Sequence, residues 1–206
     1  MRIYFVRHGE TQESGVGERH TQHSILSEKG VKQSSAVAAR FAEIPIGAIV
    51  SSHLPRAAQT AQAIGVAKNV QVELNELLRE RKRLEDLDGS KKDNPQFIEL
   101  KTLFKKNFDN PEFHHDEEET FYEFKARIED FLRSLETSDK DQILVVTHSD
   151  VVRMIACVVI FGQLLTPQLY TQAKDRLKHK STGVTIIEND NDTWSFVTWN
   201  DHAHLA

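Results

Sequence analysis

Met1-Arg2-Ile3-Tyr4-Phe5-Val6-Arg7-His8-Gly9-Glu10-Thr11 opens the chain. Residues 2–6 have the β-branched and aromatic content of a buried strand. That strand runs straight into a cation, an imidazole and a glycine, a set that core packing alone does not call for. Reading outward, five more stretches look like strands: 46–51, 70–74, 142–147, 182–188 and 193–199. Helical patterns fall between most of them. Residues 28–43 place Val37, Phe41 and Ile44 at helical spacing behind Ser27, a predicted N-cap. Residues 55–66 begin at Pro55, which suits a first helical turn. Thr120 and Glu123 predict a capping box, ahead of Phe124, Ile128, Phe131 and Leu135 at i, i+4, i+7 and i+11.

Strand-helix alternation predicts an α/β fold: a three-layer sandwich with a mostly parallel central sheet, helices on both faces and a small helical lid insertion. The last two strands form an antiparallel pair if Asn189-Asp190-Asn191-Asp192 is a hairpin turn. Residues from about 81 to 120 interrupt the alternation. Their charge is basic at Arg79-Glu80-Arg81-Lys82-Arg83 and acidic at Asp116-Glu117-Glu118-Glu119, with Phe97, Leu100 and Phe104 between. This stretch is expected to cover one end of the sheet, within a single domain spanning residues 1–206.

With 206 residues, 39% of them hydrophobic and 28% charged, the chain has the composition of an ordinary globular domain. A formal net charge of -5 gives no general attraction to nucleic acid, so any anion site has to be built locally. Cys157 is the single cysteine and lies in an apolar run, where a buried structural thiol is expected. No signal-peptide pattern is visible, and the run from Met154 to Phe161 is too short to span a bilayer, so no membrane partner and a cytoplasmic location are expected.

Three strand ends share a chemistry. Arg7 and His8 follow the first strand, Ser51, Ser52 and then Arg56 follow the second, and Thr147 and His148 follow the fourth. Ligands in open α/β sheets sit beyond the carboxyl ends of strands. Guanidinium groups and helix N-termini suit a phosphate, and a nearby imidazole can serve as nucleophile and proton carrier near neutrality. Gly9 is expected to let backbone approach the phosphoryl oxygens.

Arg7-His8-Gly9-Glu10-Thr11 resembles the RHGE[ST] signature of the histidine phosphatase superfamily, which includes cofactor-dependent phosphoglycerate mutases and many small-molecule phosphatases. Ser24-Ile25-Leu26-Ser27-Glu28-Lys29-Gly30 is similar to the family's SPLTEKG stretch, and residues 51–61 to its SSxLxRAxQTA stretch. Leu78-Arg79-Glu80, Val146-Thr147-His148 and the tail Asn200-Asp201-His202-Ala203-His204-Leu205 follow in family order. The resemblance implies a metal-independent phosphatase without a cofactor. His8 becomes phosphohistidine, Arg7, Arg56 and His148 hold the phosphoryl oxygens, and Glu80 protonates the leaving oxygen. Thr11, Ser14 and Ser149 complete the expected substrate contacts. The expected partner is a phosphorylated small molecule, with a phosphoprotein as a further option.

The chain departs from the pattern in places. Ser14 stands where the family often has Asn, and Ser149 and Asp150 stand where two glycines usually follow the second histidine. After Glu80 one glycine is missing and Gly89 comes a residue late. Asp150 therefore competes with Glu80 as proton donor. Glu80-Arg81 resembles the mutase ER element and keeps a phosphoglycerate mutase as the alternative, although no arginine- and proline-rich substrate segment follows. A non-catalytic phospho-ligand module ranks below both. His114-His115 and the His202/His204 pair are expected to be solvated or structural rather than metal ligands.

Overall fold

β1 (Arg2–Arg7) buries Ile3, Tyr4, Phe5 and Val6 because neighbours cover both its edges and both its faces. The computed structural model describes residues 1–15, 20–82, 95–115, 118–191 and 193–206, without the side chains of residues 15, 96 and 97. In it, β1 pairs in parallel with β4 (Gln142–Thr147) and antiparallel with β5 (Val184–Asp190). Beyond β4 lie β2 (Ala48–Ser51) and β3 (Val72–Leu74), both parallel, and beyond β5 lies β6 (Thr193–Asp201), antiparallel. The order is β3-β2-β4-β1-β5-β6, a mostly parallel α/β sheet.

Strand alternation sends Ile3 and Phe5 to one face and Tyr4 and Val6 to the other. Ile3 and Phe5 pack with Ile143 and Val145 against α5 (Phe121–Glu136), α6 (Ser149–Phe161) and Tyr170 of α7 (Pro167–Arg176). Tyr4 and Val6 pack with Ile49, Leu144 and Val146 against α2 (Glu28–Arg40) and α3 (Pro55–Lys68). Each large apolar side chain removed from water in these layers contributes about 1.5–3 kcal/mol. The expected sandwich, with helices on both faces, is the observed one.

The capping signals are also as predicted. Ser27 Oγ accepts from Gly30 N at 3.0 Å. Thr120 Oγ1 accepts from Glu123 N at 3.2 Å, and Glu123 Oε2 accepts from Thr120 N at 2.8 Å. Element ends shift where caps intervene. β3 begins at Val72 because Asn69 is left-handed (φ 52°) and Val70 N closes α3 by bonding Gly65 O at 3.0 Å. β5 begins at Val184 because Thr182 is left-handed (φ 56°) and donates its N–H to Arg7 O. α2 stops at Arg40, after which Phe41 to Ile44 turn in shorter steps. Asn189 and Asp190 belong to the ladder, with Asp190 opposite Thr193. The reversal therefore takes in Asn191 (φ 48°), and Asp192 lies outside the described residues.

Within the expected insertion, α4 (Pro95–Asn107) carries Leu100 and Phe104, which form a small apolar cluster with Phe113. Phe97's side chain, Arg83, Gly89, Asp116 and Glu117 lie outside what is described. The 4-residue α1 (Gln12–Gly15) follows the β1 exit loop. Cys157 is fully buried, and burial pushes its thiol up to about 11. Among the described residues no helix is long and apolar enough to cross a membrane.

Candidate active site

Because β2, β4 and β1 are adjacent, their carboxyl ends open onto one place. The backbone stays in register there: His8 N donates to Thr147 O at 2.9 Å and Ser52 N to Val146 O at 2.9 Å. His8 (2% exposed), His148 (0%) and Arg56 (3%) are therefore brought together inside the protein. The rings of His8 and His148 lie 5.1 Å apart. His8 Nδ1 is 2.7 Å from Gly9 O. A carbonyl only accepts, so Nδ1 carries the proton and Nε2 keeps its lone pair. His148 Nε2 lies 2.8 Å from Ser52 Oγ, while its buried Nδ1 has no partner among the described residues.

Arg7 ends β1 with Nη1 donating to His179 O at 2.5 Å and a buried Nε that has no partner among the described residues. Arg56 sits in the first turn of α3, where Nη1 donates to Thr21 O at 2.9 Å. Burial, then Arg7 and Arg56, push His8 well below the ordinary imidazole value. Burial, Arg56 and His8 do the same to His148. Burial also lowers Arg7, although a guanidinium keeps its charge. At neutral pH the place holds two fixed cations and two neutral imidazoles, ready to receive an anion.

Gly9 serves a different end from the one expected. A Cβ there would lie 2.6 Å from Gly30 O and 3.1 Å from Ser34 Oγ, and Gly9 N already donates to Thr60 Oγ1 at 3.0 Å. Its lack of a side chain lets the β1 exit loop press on α2. Gly30 answers it, since a Cβ at that residue would lie 1.9 Å from Glu10 O.

Glu80 reaches the site on a bolted loop. Asn75 N donates to Ser51 O at 2.8 Å, Thr147 Oγ1 donates to Leu78 O at 2.7 Å, and Arg127 donates to the carbonyls of Leu77 and Arg79. Glu80 Oε1 accepts from Arg81 N at 3.0 Å, a backbone contact rather than the pairing with neighbouring arginines that a charged face would show. Those arginines are taken elsewhere. Arg79 forks onto Glu119 at 2.8 and 2.9 Å, Arg127 meets the same carboxylate, and buried Arg81 bonds Glu119 O and Glu118. Within the basic run, Arg79 and Arg81 thus buttress the loop against Glu118 and Glu119, and Arg83 lies outside the described residues. Glu80, Arg56, Arg79, Arg81, Lys82 and His53 line a cavity of about 400 Å³ beside the imidazoles.

Asp150 is buried, with Oδ1 2.5 Å from Arg153 Nη1 and Oδ2 3.9 Å from Lys174 Nζ. Thr11 is fully buried, and its Oγ1 lies 3.1 Å from Ser14 Oγ. Ser149 is the half-buried first residue of α6. The histidines set aside in the sequence have other partners: His114 bonds Glu123, His115 stacks edge-on to Phe104, His202 meets Lys180 and His204 meets Thr182.

A family model describing the histidine phosphatase superfamily (branch 1) matches residues 3–202. The chain belongs to that superfamily. Among named relatives, "Probable phosphoglycerate mutase GpmB" of Escherichia fergusonii is 41% identical over 83 residues, 39% of this chain and 38% of the relative. The match thus spans well under half of the curated relatives' length. Bacillus stearothermophilus YhfR has a similar fold, with TM-score 0.81 and 24% identity, covering 100% of this chain and 99% of that one. The alpha-ribazole phosphatase of Shigella flexneri gives 0.77 and 20%, covering 98% and 96%. A phosphoserine phosphatase mutant from Entamoeba histolytica, in complex with phosphoserine, gives 0.75 and 20%, covering 100% and 99%.

Two features of this superfamily member lie outside its sequence motifs. His20 lies against His8, with ring centroids 5.5 Å apart. The loop after α7 supplies the carbonyl that fixes Arg7, while Arg153 Nε holds Leu177 O of the same loop at 2.7 Å. Neither falls in a motif: His20 sits between two of them, and a carbonyl has no sequence signature.

Proposed function

We propose that this chain is a metal-independent phosphatase that hydrolyses phosphomonoesters through a phosphohistidine on His8. One arrangement carries the reading: a buried, neutral His8 whose Nδ1 is locked on Gly9 O, leaving the Nε2 lone pair beside Arg7, Arg56 and His148. Nε2 attacks phosphorus, the phosphorus–oxygen bond to the leaving group breaks, and Glu80 gives that oxygen its proton. Water then attacks phosphorus, Glu80 takes a proton from it, and the phosphorus–nitrogen bond breaks to restore His8. Arg7, Arg56 and His148 hold the equatorial oxygens, where charge must be met in a largely dissociative transfer. Thr11, Ser14 and Ser149 support the same oxygens. Asp150 is buried against Arg153 and does not line the cavity that Glu80 lines, which leaves the donor's part to Glu80.

The substrate is a small polar phosphomonoester. Among the described residues, the cavity that His20 lines has Leu54 as its one aliphatic side chain, with charged and polar neighbours around it. Residues 81–120 act in this reading as the lid that selects the alcohol. A phosphoglycerate mutase is the second reading, favoured by the name of the partial relative and by Glu80-Arg81.

A panel of phosphorylated metabolites, scored for phosphate release and for phosphoryl migration, tests both. Release that survives a strong chelator and is blocked by vanadate is expected. Migration without release establishes the mutase, and loss on chelation restored by zinc or magnesium overturns the mechanism. A His8→Ala protein should lose the acid-labile, base-stable phosphoryl label.

A further inference from the structure

His20 is a third imidazole at the site, used neither by the motifs nor by the mechanism above. Its ring stands edge-on to His8, with planes at 89°. Nδ1 lies 2.9 Å from Thr11 Oγ1 and Nε2 3.4 Å from Ser14 Oγ. The two hydroxyls are 3.1 Å apart, and Ser14 N donates to Thr11 Oγ1 at 3.2 Å. A neutral imidazole has one donor and one acceptor, so a hydroxyl facing its bare nitrogen gives its hydrogen to the ring. An imidazolium donates from both nitrogens, which releases that hydrogen to turn elsewhere.

The groups facing the ring are Arg7 from β1, His8 just after it, Glu13 from α1, Arg56 from α3 and His148 ahead of α6. Around the shared cavity stand Glu80, Arg79, Arg81, Lys82 and His53. Burial, then Arg56 and Arg7, hold the ring down at about 4, against the pull of Glu13.

We propose that His20 is a positioning residue of the phosphoryl site: it takes up a proton when a tetrahedral dianion enters beside His8, and so frees the hydroxyl hydrogen that Thr11 or Ser14 had given to its bare nitrogen, which turns to serve the anion. The inference rests on the reading of this site as a phosphoryl pocket. Two negative charges between Arg7 and Arg56 offset the two cations, which after burial are what hold His20 down. By linkage the anion is then bound more tightly where the ring is protonated. One proton passes from solvent to His20, and no covalent bond changes.

Sulfate is the probe, being tetrahedral and a dianion across the working range. Imidazole nitrogen NMR of the full chain at pH 6, with the His20 signal assigned by its loss in His20→Asn, reads the ring directly. The expected result is a neutral ring without sulfate and an imidazolium at saturation. If His20 regains an ordinary value, sulfate affinity at pH 5 should exceed that at pH 8 by about tenfold or more. His20→Asn should flatten that dependence while still binding sulfate, and His8→Ala should keep the sulfate-linked protonation. Sulfate binding with His20 neutral throughout overturns the proposal and leaves the phosphoryl reading standing. No sulfate binding at all overturns both.

Discussion

A guanidinium at 3% exposure loses most of its hydration, so Arg56 occupies the first turn of α3 at a cost that only a specific use offsets. Its use in the proposed pocket is a planar fork on phosphoryl oxygens, which a lysine cannot copy. Arg56→Lys should lower kcat/KM by about a hundredfold, the scale of losing one transition-state donor, with little change in thermal stability. Steady-state kinetics beside a melting curve checks this. Glu80 makes a different prediction, because a proton donor matters only when the leaving oxygen needs its proton. Glu80→Gln should fail on alkyl phosphates yet keep much of its rate on an activated aryl phosphate. Asp150→Asn should lose both rates together and modestly, since its carboxylate braces Arg153. Selective failure in Asp150→Asn, with Glu80→Gln near wild type, would exchange the two assignments.

At the scale of elements, the site depends on close approach and on caps. The β1 exit loop touches α2 through facing glycines, so Gly30→Ala must push Glu10 O, a backbone atom, out of its place. That variant should unfold at clearly lower urea and lose activity in proportion to the displacement of His8. α5 depends on its first turn. Thr120→Ala removes the Oγ1 half of the capping box, leaving the backbone N–H of residue 120 on Glu123, and should cost about 1 kcal/mol without touching the chemistry, measurable as a shifted urea midpoint at unchanged kcat. Helix starts were legible in sequence at the side-chain caps Ser27 and Thr120, but not at Thr166, whose Oγ1 caps α7. The starts of β1, β4 and β6 were legible too, but those of β3 and β5 were not, because at Val70 and Thr182 the backbone is claimed by a helix cap or by Arg7 O, contacts set by the packed fold.

For the whole molecule, the buried histidines set a pH response. Burial lowers His8 and His148 well below the ordinary value and His179 to about 3. Below about pH 6.5 the unfolded chain takes up protons at these rings while the folded chain does not, so stability falls as pH falls. Each ring accounts for at most about 1.4 kcal/mol per pH unit until its folded value is reached. Urea midpoints should therefore drop from pH 7 to pH 5, and a midpoint that rises would contradict the neutral, buried state of the three.

The sequence by itself determined the α/β layering, since apolar strands alternate with amphipathic helices. It also determined the residues His8, Arg7, Arg56 and His148, because each follows a strand at a fixed step and motif spacing records it. Only the tertiary structure decided what surrounds them. His20 reaches His8 through a loop with no periodicity, and Arg7 is fixed by a carbonyl from 172 residues away. Arg79 and Arg81 turn from a basic patch into a buttress because Glu118 and Glu119 fold onto them. Local spacing encodes what one strand or helix presents; partners from distant segments are chosen by burial and charge once the layers have packed.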